Sequence, residues 1–121
     1  MNLAFKSQAI FENFCKVPLH PKLTRLLLWL YDEHIELIVT SAYRDKKIYA
    51  NDPGIHGTNP LRAIDLRSWI MPDPEAKAEG INEHWIYDSD RPSLKVCVYH
   101  NVGQGDHFHL QVHDNTIKRE V

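Results

Sequence analysis

A chain of 121 residues, 43% apolar and 25% charged, has the make-up of one soluble globular domain long enough to bury its own core. Its formal charge of −2 gives no electrostatic case for binding nucleic acid or docking on an acidic surface. Cys15 and Cys97 are too few for a disulfide framework, the apolar run Leu26–Tyr31 is too short to span a bilayer, and Met1–Lys6 opens with no secretory pattern.

Leu23, Leu26, Leu27, Leu30 and Tyr31 recur at helical spacing and predict a core-packing helix from Pro21 to His34, with Pro21 in its first turn. Leu37-Ile38-Val39-Thr40 predicts a buried strand that ends in Ser41-Ala42-Tyr43-Arg44. Asn51-Asp52-Pro53-Gly54 and Asn59-Pro60 are turn signals, so the segment from Asp45 to Pro60 reads as a long loop, a kind that is often functional in a compact domain. Ala63–Arg67 reads as a second strand. Met71-Pro72-Asp73-Pro74 breaks the chain before a helix from Glu75 to about Tyr87, weakened by Gly80. Asp88–Ser93 is a loop. Val96–His100 and His107–His113 read as two strands joined by the Gly-rich hairpin loop Asn101–Gly105. The order predicts a single α+β domain over 1–121, a small antiparallel sheet with flanking helices.

The chain carries eight histidines, four of them between His100 and His113. On a strand, His107 and His109 share one face while Phe108, Leu110 and Val112 take the other, toward the core. His56 and Asp65 add two side chains of the types zinc accepts. A catalytic zinc takes three protein ligands and keeps one position open. It also needs a nearby proton acceptor and a cation or donor for the oxyanion. His56, Asp65 and His109 are the candidate ligands, Asp106 the candidate base, and Arg44 the candidate cation. Blander readings exist for each. Asp65 has Arg62 and Arg67 as ion-pair partners, and Arg44 has Asp45 and Glu36. His107 has a supporting role open to it. His20, His34, His84 and His113 read as non-ligands, with His100 the first exception because it lies on the neighbouring strand. Trp69, Trp85 and Tyr99 are cleft or core residues.

Ser41-Ala42-Tyr43-Arg44, then His56…Ala63-Ile64-Asp65, then Asp106-His107-Phe108-His109, in that order, resembles the M15 family of zinc D,D-carboxypeptidases and peptidoglycan endopeptidases, which shares its fold with Hedgehog signalling domains. The resemblance covers roughly Leu37 to Gln111, and the part from Ile70 to Leu94 matches nothing in it. It implies that His56, Asp65 and His109 bind Zn²⁺. It further implies Asp106 as general base, His107 as a hydrogen-bond donor to the tetrahedral intermediate, and Arg44 as the group stabilising the substrate carbonyl or carboxylate. His56 and Asp65 stand further apart than is usual in that family, with Asn59-Pro60 as an apparent insertion, and Asp106 replaces the Glu of many members. The implied protein is a monomeric zinc peptidase that cleaves peptidoglycan stem peptides and has no nucleic-acid or membrane partner. A phage-type lytic enzyme, made in the cytoplasm and released to the wall by a holin-type partner, is the expected setting. The alternative is a non-enzymatic, metal-binding phage structural or wall-docking module of the same fold.

Overall fold

Leu23, Leu26, Leu27 and Leu30 form the buried stripe of a helix that runs over Pro21–Asp32. His20 starts it: its Nδ1 accepts the Lys22 N–H, and its Nε2–H donates to Asp114 at 2.8 Å. The computed structural model describes residues 3–33, 36–44, 54–68, 72–101 and 106–119, with the backbone alone for His100 and Asn101. The elements in chain order are β1 (Leu3–Phe5), α1 (Gln8–Phe14), α2 (Pro21–Asp32), β2 (Leu37–Ser41), β3 (Ala63–Arg67), α3 (Pro74–His84), β4 (Trp85–Ile86), β5 (Cys97–Asn101), β6 (Asp106–Gln111) and β7 (Ile117–Lys118). A single 3₁₀ turn, Ile55–Gly57, lies between β2 and β3.

Five strands form one sheet in the order β1-β2-β3-β6-β5, and β4 pairs with β7 in a separate two-stranded sheet. The expected antiparallel sheet is mixed, because β1 pairs parallel to β2. Leu3-Ala4-Phe5 is too short to announce itself as a strand. Its Phe5 ring packs edge-on against Phe11 and Phe14 of α1, both at 5.0 Å between centroids. Neither β1 nor α1 was expected from the pattern of apolar residues; α1 buries no residue fully and is marked mainly by Ser7, whose side chain accepts from the Ile10 N–H.

One face of the sheet packs against the helices. Leu37 and Val39 of β2, Ile64 and Leu66 of β3, and Phe108 and Leu110 of β6 join the α2 stripe and Ala78 and Ile81 of α3 in the buried core. α3 ends at His84, earlier than expected, because Trp85 and Ile86 pair with Lys118 and Ile117 instead of continuing the helix. Asn82 on α3 reaches the edge strand β5. Its Nδ2 donates to the Cys97 carbonyl at 2.7 Å, and its Oδ1 accepts the Cys97 N–H at 2.9 Å.

Strand alternation leaves Asp65, His107 and His109 on the other face of the sheet. A register shift in β2 completes that face. Val39 stands opposite Leu66, yet Ser41 stands opposite Asp65, so β2 spends one extra residue between them. A bulge of this kind re-aims a side chain. Here it moves Ser41 from the core side to the side of Asp65.

Candidate metal centre

Two rungs of the sheet make the floor of the site. Ser41, Asp65, His109 and Val98 line up across β2, β3, β6 and β5, and Arg67, His107 and the backbone of His100 form the next rung. His56 arrives from outside the sheet, on the 3₁₀ turn. Its carbonyl accepts the Arg44 N–H at 2.7 Å, and its Nδ1–H donates to the Ala42 carbonyl at 3.0 Å. The end of β2 therefore holds both the backbone and the ring of His56.

The approach is close enough to demand glycine next in sequence. A Cβ on Gly57 would lie 2.7 Å from the Arg44 carbonyl oxygen, a backbone atom that no rotamer change can move. Gly57→Ala should therefore cost about 1–3 kcal/mol of stability, as an overpacked site does. It should also weaken metal binding, because relief requires the turn bearing His56 to back away. Thermal unfolding and chelator competition measure the two effects. An unchanged zinc affinity would show that His56 is not held by this contact.

His56, Asp65 and His109 place their ligand atoms within 4.8 Å of one another. His56 Nε2 lies 3.2 Å from Asp65 Oδ1, and His109 Nδ1 lies 3.0 Å from the same oxygen. Tetrahedral ligands about 2.0–2.2 Å from a zinc ion sit roughly 3.3–3.5 Å apart. The two observed separations are slightly shorter than that spacing, and with all three ligand atoms within 4.8 Å of one another a single small cation can bridge them. All three are buried. A carbonyl oxygen only accepts, so the proton of neutral His56 sits on Nδ1, and Nε2 turns its lone pair toward the carboxylate. A bare lone pair facing a carboxylate oxygen is repulsive without positive charge between them.

When the rings are protonated, the imidazoles themselves supply that positive charge to Asp65. Burial raises its pKa, but the hydrogen bonds to His109 and His56 and the charge on those rings outweigh burial and hold the carboxyl well below the usual carboxylate range. A carboxyl depressed in the folded state stabilises the protein above its unfolded pKa of about 3.9, and that stability is lost as pH falls below it. Metal-free protein should thus lose stability below about pH 4. Asp65→Asn should flatten this part of the profile, as followed by urea unfolding at stepped pH. An unchanged acid limb would place the acid sensitivity elsewhere.

The other predicted residues divide. His107 is buried on the site face, with Nε2 3.6 Å from Asp65 Oδ2. Arg44 donates from Nη1 to Ser41 Oγ at 2.8 Å, so its guanidinium is tied to the residue opposite Asp65. Asp106 is exposed and takes the Tyr99 hydroxyl on Oδ2 at 3.0 Å. By alternation it lies on the Phe108 side of β6, away from His107 and His109. The structure therefore brings His56, Asp65, His109 and His107 together and does not bring Asp106 to them.

Arg62, one of the partners open to Asp65, instead binds the Val112 carbonyl and the Tyr87 hydroxyl. Among the described histidines read as non-ligands, His20 caps α2, and the His84 ring sits 5.1 Å from Trp29. His113 Nδ1 accepts from the Asn115 N–H. Trp85 is a core residue, and Tyr99 stacks obliquely on Phe108. His34, Trp69 and the side chain of His100 lie outside the described residues, as do Asp45–Pro53 of the long loop and most of the hairpin loop. Burial pushes the Cys97 thiol up to about 12, so it is neither a nucleophile nor a ready ligand. Gln111 was not singled out in the sequence, and Ser41 entered there only as the first residue of the Ser41-Ala42-Tyr43-Arg44 segment, with no role of its own. A short polar residue opposite Asp65 becomes visible only once the bulge sets the register. No protein-family model, curated protein or solved structure matches this chain.

Proposed function

We propose that this protein is a zinc-dependent peptidase of the Hedgehog/D,D-peptidase type that cleaves peptidoglycan stem peptides. The observation that carries the reading is the convergence of His56 Nε2, Asp65 and His109 Nδ1 within 4.8 Å of one another, a spacing that one metal ion can bridge. Two imidazoles and one carboxylate leave a fourth tetrahedral position for a reacting group, the donor set of a catalytic rather than a structural zinc site. When bound, a zinc ion supplies Lewis-acid polarisation of a carbonyl and a nucleophile at neutral pH. The substrate class rests on the resemblance of the Ser41–Arg44, His56–Asp65 and Asp106–His109 segments to M15 peptidases.

The chain's own residues have separable tasks. His107, buried next to Asp65, accepts a proton at Nε2 and returns it to the leaving amine. Arg44, steadied by Ser41, offsets negative charge on the substrate carbonyl oxygen or a terminal carboxylate. Asp106, engaged by Tyr99, shapes the start of β6 rather than the proton path. Arg44→Lys keeps the charge and loses the planar fork, so it should slow turnover with zinc content and unfolding temperature unchanged. Wild-type rates in Arg44→Lys and Arg44→Ala would remove Arg44 from the mechanism.

The direct test is incubation of purified peptidoglycan fragments with zinc-loaded and chelator-stripped protein, with new termini read by mass spectrometry. Cleavage by the loaded form alone supports the proposal. Zinc binding with no new termini would favour a second reading, a metal-stabilised wall-docking module. One observation favours it: the expected carboxylate base, Asp106, is bound to Tyr99 and not to the cluster.

A further inference from the structure

Gln111, two residues beyond His109 on β6, bridges the candidate centre to the chain just before β5. Its Nε2 donates to the Lys95 carbonyl at 2.8 Å, and its Oε1 lies 3.0 Å from His109 Nε2. The first contact fixes the sense of the second. A carbonyl cannot donate, so the amide NH₂ must face Lys95, and the amide oxygen must then face the histidine. An amide oxygen only accepts, so His109 carries its proton on Nε2. In a neutral ring, Nδ1 is left with its lone pair, 3.0 Å from Asp65 Oδ1. Backbone contacts hold the bridge in register, because the Gln111 N–H also donates to the Val96 carbonyl at 2.9 Å.

We propose that Gln111 is a positioning residue that selects Nδ1 of His109 as the ligating nitrogen. It does so by reading the fixed direction of the Lys95 carbonyl and passing that direction to the imidazole. This inference rests on the metal-site reading of His56, Asp65 and His109. The two histidines are set by opposite devices. His56 is turned by a backbone carbonyl on its Nδ1 and offers Nε2, whereas His109 is turned by a relayed carbonyl on its Nε2 and offers Nδ1. Without the relay, the proton of His109 is free to move to Nδ1, where Asp65 accepts it and the ring no longer offers a lone pair to the centre.

Two variants and two measurements test this. Gln111→Met keeps side-chain length and removes the acceptor. Gln111→Glu keeps an acceptor on His109. In metal-free protein at a pH well above the ordinary His range of about 6.5, long-range ¹H–¹⁵N spectra report which His109 nitrogen carries the proton. Wild type and Gln111→Glu should show Nε2–H, and Gln111→Met should shift toward Nδ1–H. Zinc affinity, measured by competition with a chelator, should fall roughly 10–100-fold in Gln111→Met, as for other groups that orient a metal ligand. It should fall less in Gln111→Glu, which keeps the acceptor on His109 but loses the donor to the Lys95 carbonyl. An unchanged tautomer and unchanged zinc affinity in Gln111→Met, with wild type binding zinc, would overturn the role of Gln111 and leave the metal site standing. A Gln111-dependent tautomer in a wild-type protein that binds no zinc would support the relay and remove the metal site.

Discussion

Asp65→Ala protein should retain almost no zinc after dialysis, where wild type retains about one ion per chain. Asp65 is the hub of the cluster: its Oδ1 lies within 3.2 Å of His56 Nε2 and 3.0 Å of His109 Nδ1, and its Oδ2 lies 3.6 Å from His107. Removing it leaves two neutral imidazoles and no anion to offset the charge of a divalent ion. The variant should still fold. Ile64 and Leu66, its neighbours in β3, hold the strand in the core. A metal that binds only the folded state adds about 4 kcal/mol when present at 1,000 times its dissociation constant. Chelation should remove that increment from wild type, and Asp65→Ala should lack it from the start. Elemental analysis and thermal unfolding with and without zinc check both. Full occupancy with a wild-type zinc-dependent shift in Asp65→Ala would mean that the metal sits elsewhere.

His107→Ala should keep zinc and lose about 10²–10⁴-fold in turnover, the range for a group that moves a proton in the transition state. Asp106→Ala should lose far less. The contrast follows from the alternation of β6: His107 is buried on the face of Asp65, and Asp106 is exposed and bound to the Tyr99 hydroxyl. Measuring kcat and zinc content for both variants decides between them. Loss in Asp106→Ala with activity kept in His107→Ala would restore the carboxylate as base. It would also require the start of β6 to rearrange when substrate binds.

The difference between these two residues shows what was legible in the chain. The pairing of His107 with His109, and of Phe108 with Leu110, follows from a period of two and is seen in their partners: both histidines meet Asp65, and Phe108 and Leu110 join the core. The helix from Pro21 was readable because its apolar residues repeat at one period over several turns, the strand Leu37–Ser41 because it is a β-branched apolar run, and Ala63–Arg67 because Ile64 and Leu66 alternate with Asp65. The expectation that Asp106 is the base rests on its place three residues before His109 and on motif order, and neither states which face a residue takes. Pattern reading also missed β1, α1 and the β4–β7 pair. These elements are short, and they exist because a neighbour completes them. Ser41 could not be recognised for a related reason, since a bulge shifts the register of its strand by one residue and no local sequence feature states where a bulge falls.

Asn82 has a consequence for how this protein behaves in a crowd. β5 is an outer strand of the five-stranded sheet, and an outer strand offers unsatisfied peptide groups to any passing extended chain. At Cys97 both of those groups are already occupied, because the Asn82 carboxamide binds the N–H and the C=O as one residue of a sixth strand would. A side chain thus counterfeits a strand at the point where β5 begins. Intermolecular strand addition, the first step toward domain swapping or fibril growth, is blocked there by a group that cannot itself propagate the ladder.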